Sequence, residues 1–189
     1  MRVLIAYAGK IPVFTYGGTQ RGIWCLGKQL MKMGHKVTYL VAKDSHCDFA
    51  EVIWLDQTRK MDEQIPESTD IIHFNYDCRE PISKPYLITF RGNCNDFREF
   101  DKNTVFISKN HAARFGSACY VYNGLDWDEY GKPDFNSGKK YFHFLGNASW
   151  RVKNLKGAID IISRTRKDYL KVLGGYRLNI NMGFRFTFS

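Results

Sequence analysis

The chain has 189 residues, a formal net charge of +9 and a hydrophobic fraction of 44% with 14 Phe and 11 Tyr, enough for a core, which excludes general disorder. No stretch approaches the roughly 20 uninterrupted apolar residues of a membrane helix. The five cysteines, Cys25, Cys47, Cys78, Cys94 and Cys119, are odd in number and form no C-x-x-C pair, which argues against a disulfide framework or a zinc site.

Residues 2–8 form a continuous apolar run that meets Gly9 and Lys10. The run is too short for a signal peptide and reads as a first buried strand of a parallel sheet, and the protein as cytoplasmic. A loop over 9–18 leads to a predicted helix over 19–33. Ile23, Leu26, Leu30 and Met33 recur there at helical spacing, with Thr19 as candidate N-cap and Gly34 as stop. Residues 36–41 are the second strand and complete a βαβ unit. Short strands follow over 52–55, 70–74, 86–90 and 104–107. Ser108 caps a helix running to Phe115, residues 119–122 are one more strand, and Asn123 with Gly124 forms a turn. The alternation predicts an α/β fold with a Rossmann-like, doubly wound parallel sheet.

Residues 131–138 (GKPDFNSG) are polar and rich in turn formers, a linker. The pattern then restarts as a strand over 141–145, a helix over 154–166 and a strand over 169–173, with a further strand over 184–188. An isolated βαβ unit buries too little surface to stand alone. The second unit is therefore read as incomplete, and its apolar strands predict association, a homodimer through residues 139–189 being favoured over packing back on the first domain. Residues 1–138 carry 17 Lys and Arg against 17 Asp and Glu, whereas residues 139–189 carry 11 Lys and Arg against Asp160 and Asp168. So basic a block fits a polyanion partner, but it holds no nucleic-acid motif. A phosphate-binding half-domain explains it better, with no nucleic acid and at most peripheral contact with the inner face of a membrane.

Ligands of open α/β sheets bind beyond the carboxyl ends of the strands, and six features fall there. Gly17, Gly18 and Thr19 join the first strand to the first helix, where bare backbone and free N–H groups suit a diphosphate; an ordinary glycine-bearing loop reads the same way. His73 ends one strand and Asn75 follows it, although a lone histidine is commonly a packed core residue. Arg91, next to Gly92, can clamp a phosphate or carboxylate bidentately, or make a surface ion pair. Asn123 and Gly124 are a turn or the wall of a cleft. Asn147, Arg151 and Lys153 follow a strand-end glycine, Gly146, and precede a helix, where cations oppose the helix dipole unless an anion relieves the conflict. Gly174 and Gly175 end the next strand. Metal-ligand spacing is not found, and the G-x-G-x-x-G fingerprint and the acidic residue that a dehydrogenase places after its second strand are both missing.

Taken in order, these pieces resemble the family-4 glycosyltransferases, which have the GT-B architecture of two Rossmann-like domains facing a cleft. The matching motifs are Tyr16, Gly17, Gly18 and Thr19; Gly34, His35, Lys36 and Val37; Asp70, Ile71, Ile72 and His73; Ser108; Asn123, Gly124, Leu125 and Asp126; and the spacing from Gly146 to Lys153 and Asn154. The chain departs where the family has a Thr-x-His-Gly histidine, because Arg91 stands there, and where the donor domain opens Gly-Arg, because Asn147 follows Gly146, with Arg151 a candidate substitute. The resemblance implies an acceptor-side domain over 1–130 and a truncated start of a nucleotide-sugar domain over 139–189. It implies transfer of a sugar from a nucleoside-diphosphate donor to a hydroxyl acceptor, with retention, in cell-surface polysaccharide or glycoconjugate synthesis. The donor is a substrate, and neither a cofactor nor a metal is implied. Lys153, Arg151 and the Gly17 and Gly18 amides would stabilise the leaving diphosphate, and Arg91, His73 and Asn75 would line the reacting-sugar or acceptor side. The alternative is an inactive module that binds a nucleotide or a partner. The family's Glu-x7-Glu segment is not in these residues, so the 189-residue chain by itself is expected to show no glycosyl transfer. A turnover assay with a panel of nucleotide-sugars checks this, and steady product formation would contradict it.

Overall fold

The computed structural model describes residues 1–14, 17–92, 94, 98–136, 141–165 and 169–174. It divides into two units, Met1–Tyr130 and Gly131–Ser189. In the first, β1 (Arg2–Tyr7) leads to α1 (Gly18–Lys32), β2 (Lys36–Val41), β3 (Glu51–Trp54), β4 (Ile71–Phe74), β5 (Tyr86–Phe90), β6 (Thr104–Phe106) and α2 (Lys109–Arg114). The six strands form one sheet in the order β3-β2-β1-β4-β5-β6 with every pairing parallel. This is the Rossmann order, with its topological switch between β1 and β4.

Alternation of side chains along β1 divides the interior into two layers. Leu4 and Ala6 join Leu40, Ile72, Phe74 and Ile88 on one face, closed by Met61, Ile65 and Cys78. Val3 and Ile5 join Val37, Tyr39 and Val41 on the other, closed by Ile23 of α1. The first layer is covered by loops. From β3 to β6 the only helical piece among the described residues is the 3-10 turn Asp62–Gln64. Carboxylates stitch those loops down. Glu80 accepts from the Met61 backbone N–H at 2.8 Å, and Asp62 accepts from the Ser83 N–H and hydroxyl at 2.9 and 3.0 Å.

Three expectations need correction here. Thr19 is not the N-cap of α1. The helix starts at Gly18 with Gly17 as cap and no side-chain capping bond, so Thr19 lies inside the first turn. Residues 119–122 form an isolated bridge, Tyr120 opposite Phe106, instead of a strand. Their side chains are exposed, so nothing but two backbone bonds at 3.1 and 2.8 Å holds them to β6. Asn123 and Gly124 make no turn; they lie in an irregular segment that leads to the 3-10 turn Trp127–Glu129. Ser108 caps α2 as expected, accepting from the His111 N–H at 3.0 Å.

In the second unit, β7 (Phe142–Leu145) pairs parallel with β8 (Leu170–Leu173), and α3 (Leu155–Ile162) lies between them in sequence. The helix is shorter than expected. Past Ile162 the Ser163 and Thr165 hydroxyls bond back to the carbonyls of Asp160 and Ile162 at 3.0 and 2.8 Å, a local alternative to further helix. Phe142, Leu145, Tyr169 and Leu173 are exposed, the apolar surface that the pattern of the tail anticipates. The expected strand over 184–188 and residue Gly175 lie outside the described residues.

Helix α1 seats on the sheet through one close fit. Tyr39 of β2 is fully buried and its hydroxyl donates to the α1 carbonyls of Ile23 and Trp24, at 3.2 and 3.3 Å. It reaches them because position 27 has no side chain. A Cβ on Gly27 would stand 2.0 Å from the Tyr39 hydroxyl oxygen and 2.7 Å from its ring. Gly27→Ala is expected to lower unfolding free energy by about 1–3 kcal/mol, even though alanine favours helix by roughly 0.5–1 kcal/mol. The loss should shrink in a Tyr39→Phe background, where the nearest clashing atom is gone. Urea unfolding of the four proteins measures this, and equal losses in both backgrounds would contradict the contact.

Candidate functional site

Because the sheet is parallel, the loops leaving β1, β4 and β5 emerge at one edge, the carboxyl edge of the sheet. Asn75 directly follows β4. Its backbone N–H donates to the Ala6 carbonyl of β1 at 2.9 Å, its side-chain amide donates to the His73 carbonyl at 3.4 Å, and it is buried. Its Oδ1 faces Arg91, which directly follows β5, and accepts from Nε at 3.4 Å and Nη2 at 3.3 Å. Arg91 Nη1 donates to Asn123 Oδ1. Burial pushes the Arg91 guanidinium below its usual pKa. The α1 backbone passes beside it at Gly22, where a Cβ would come within 3.5 Å of Nη1.

His73 stands on the same face of the sheet as Ile5 and Ile71, opposite to Ile72 and Phe74. Strand register pairs it with Leu87, so Thr89, two residues on, shares its face, and His73 Nε2 lies 2.6 Å from Thr89 Oγ1. Burial, reinforced by the positive charge of Arg91, pushes the imidazole down to about 4. A ring of that basicity is neutral near pH 7 and takes up a hydroxyl proton poorly.

Two further contacts support this cluster. His111 of α2 places Nε2 2.9 Å from the Gly92 carbonyl and stacks on Phe90 at a centroid distance of 5.7 Å, fixing the chain on either side of Arg91. Asp126, whose side chain is 3% exposed, lies 3.1 Å from Lys28 of α1, and Glu129 accepts from the same ammonium at 2.9 Å. These bonds, to Glu129 first and then Asp126, hold Lys28 above its ordinary pKa, while Lys28 holds Asp126 below the carboxylate range. Residues 123–130 are thereby strapped across α1, from Arg91 on one flank to a cleft on the other. That cleft, about 390 Å³, is lined by Pro12, Trp24, Cys25, His46, Leu125 and Tyr130 among others. Its size falls within the roughly 300–1,000 Å³ of small-molecule sites.

Of the predicted residues in this unit, the structure joins Arg91, Asn75, His73 and Asn123 into one cluster. Gly17, Gly18 and Thr19 start α1, whose first turn holds no acidic residue, and Tyr16 lies outside the described residues. Gly124 touches nothing within 4 Å of its Cβ direction.

In the second unit the carboxyl ends of β7 and β8 converge. The Gly146 N–H donates to Leu173 O at 3.0 Å and the Ala148 N–H to Gly174 O at 3.2 Å. Gly174 has φ 110° and approaches so closely that a Cβ would meet Gly146 O at 2.7 Å, which only glycine tolerates. Arg151 and Lys153 occupy a 3-10 turn just ahead of α3 rather than the helix itself, both exposed, with the Lys153 stem beside Gly146. Asn154, in the left-handed region at φ 57°, caps α3 by accepting from the Gly157 N–H at 3.2 Å. The first turn of α3 holds no acidic residue, so these cations face the positive end of a helix dipole. Asn147 Oδ1 is engaged by the Ser149 N–H at 3.1 Å and hydroxyl at 2.7 Å.

No protein-family model matches the chain, and no curated protein matches it. Among solved structures it is similar to AviGT4, a glycosyltransferase involved in avilamycin A biosynthesis, with a TM-score of 0.64 at 15% identity over 92% of this chain. The chain spans 64% of the length of that protein. The likeness shows that the two share a fold. Among the described residues no helix is long and apolar enough to cross a membrane.

The depressed basicity of His73 sets a sign for its effect on stability. In the unfolded chain it titrates near about 6.5, so between that pH and about 4 the unfolded state binds a proton that the native state does not. Its contribution is fully present above the unfolded pKa and falls as pH drops, by up to about 3 kcal/mol. His73→Gln should remove this part of the acid destabilisation, read from urea midpoints at pH 7, 5.5 and 4.5. Identical pH profiles for the two proteins would contradict a buried neutral imidazole.

Proposed function

We propose that this chain belongs to a glycosyltransferase of the family-4 kind, transferring a sugar from a nucleoside-diphosphate donor to a hydroxyl acceptor with retention of configuration. The observation that carries the reading is the fold shared with a glycosyltransferase over 92% of the chain. The ordered motifs of the sequence and the polar cluster at the carboxyl edge of the six-stranded sheet add to it. In the reaction the bond from the anomeric carbon to the diphosphate oxygen breaks and the bond to the acceptor oxygen forms. The diphosphate leaves with the electron pair of the broken bond, and its oxygen takes up the acceptor's hydroxyl proton.

Lys153 and Arg151 are assigned to the diphosphate, whose negative charge grows as the bond breaks. Their support is chemical: two exposed cations crowd the positive end of α3 with no acidic residue in its first turn. Arg91, Asn75 and His73 are assigned to the acceptor or the reacting sugar, with His73 as a neutral hydrogen-bonding group. The cleft beside Trp24 and Tyr130 offers a half-aromatic surface for the body of an acceptor.

Lys153→Ala should weaken binding of a nucleoside diphosphate by about 1–3 kcal/mol, the range for a charged hydrogen bond. Calorimetric titration of the 189-residue chain with UDP, GDP, ADP and dTDP makes the measurement. Saturable binding that the substitution leaves unchanged, or no binding of any of the four, would reject the assignment.

A further inference from the structure

Among the described residues, the positive charge of Arg91 is met by neutral groups alone. Arginine has five N–H donors in a planar fork. Nε and one N–H of Nη2 go to Asn75, and one N–H of Nη1 goes to Asn123. One N–H on each terminal nitrogen therefore has no acceptor among the described residues. Other cations of this unit meet carboxylates: Arg59 meets Glu63, Arg79 and Arg98 meet Asp77, and Lys28 meets Asp126 and Glu129. Among the described residues no carboxylate lies within 4.0 Å of Arg91. A half-buried charge without an opposite charge is costly, and a ligand that supplies one recovers the cost.

The surroundings prepare the fork for such a ligand. Asn75 is buried and tied by its backbone to β1, so its oxygen holds the guanidinium from one side. Asn123 holds a second corner, and the strap that carries it is fastened by Asp126 to Lys28. Helix α1 passes the guanidinium at a glycine, Gly22, which has no side chain to lay over it. His73 adds no second positive charge near neutral pH. The cluster thus offers one positive charge and two free N–H groups on adjacent nitrogens. A carboxylate matches it with one negative charge and two oxygens, the bidentate pairing for which arginine is suited over lysine.

Resting on the glycosyltransferase reading, we propose that the acceptor is an acidic sugar bearing a carboxylate, and that Arg91 is the residue that selects it, oriented by Asn75 and Asn123. The 189-residue chain is titrated with glucuronate, glucose and glucose 6-phosphate at constant ionic strength. The reporter is the Arg91 Nε–H signal in nitrogen-15 NMR, assigned by its absence in Arg91→Gln. Glucuronate should shift the signal saturably and bind at least tenfold more tightly than glucose. Arg91→Lys, which keeps the charge and loses the fork, should weaken glucuronate binding by tenfold or more. The comparison of the three ligands on the unmodified protein needs no variant to fold. Equal binding of glucuronate and glucose, or no shift with glucuronate, would overturn the proposal. Tighter binding of glucose 6-phosphate than of glucuronate would overturn it too, in favour of a phosphate. Failure here with nucleoside-diphosphate binding intact removes only the acidic acceptor; loss of diphosphate binding with the glucuronate shift intact removes the transferase reading instead.

Discussion

Parallel pairing of β1 with a neighbour on each side is the constraint from which the rest of the first unit follows. With β2 on one flank and β4 on the other, β1 becomes the switch point, and all six strands end at one edge. Asn75 reaches Arg91 only because β4 and β5 run in register, His73 beside Leu87 and Phe74 beside Ile88. Asn75 then stands level with Thr89, two residues short of Arg91, within reach of the arginine side chain. An antiparallel β5 would have carried Arg91 to the opposite end. Helix α1 completes the arrangement, and its close approach rests on a glycine over the Tyr39 hydroxyl.

Charge is distributed in this chain according to use. Lys28, Asp126 and Glu129 neutralise one another and tie a surface segment down. Arg91 in one unit, and Arg151 and Lys153 in the other, have no such pairing among the described residues. The first is half-buried among amide oxygens; the other two stand ahead of a helix whose first turn offers no carboxylate. Cations so placed are unfavourable in the folded state and are relieved by anions.

The strands were legible because buried parallel strands are short apolar runs between turn formers, and 86–90 falls where Tyr86, Leu87, Ile88, Thr89 and Phe90 predict it. Cys119 to Tyr122 is a similar short run of mostly apolar residues, yet it makes one bridge and its side chains stay exposed. Thr19 is a good cap by type, yet the helix starts at Gly18, a choice made by backbone geometry that composition does not encode. Arg91, Asn75 and His73 were readable as strand-end polar residues. Their grouping with Asn123 depended on a long-range path, since Asn123 arrives over a strap pinned by Lys28, nearly a hundred residues earlier in the chain. His111 was invisible for the same reason: its partner is a backbone carbonyl, Gly92, which carries no side-chain signal.

The central claim is that the second unit takes the diphosphate of a sugar donor. Amide chemical-shift mapping of the 189-residue chain with UDP-, GDP-, ADP- and dTDP-linked sugars tests it most directly. The account predicts that at least one donor produces saturable shifts concentrated at Gly146, Asn147, Arg151, Lys153, Asn154 and Gly174. Shifts absent from that segment for all four donors, or spread evenly over the basic residues of the chain as for a nonspecific polyanion, would contradict it.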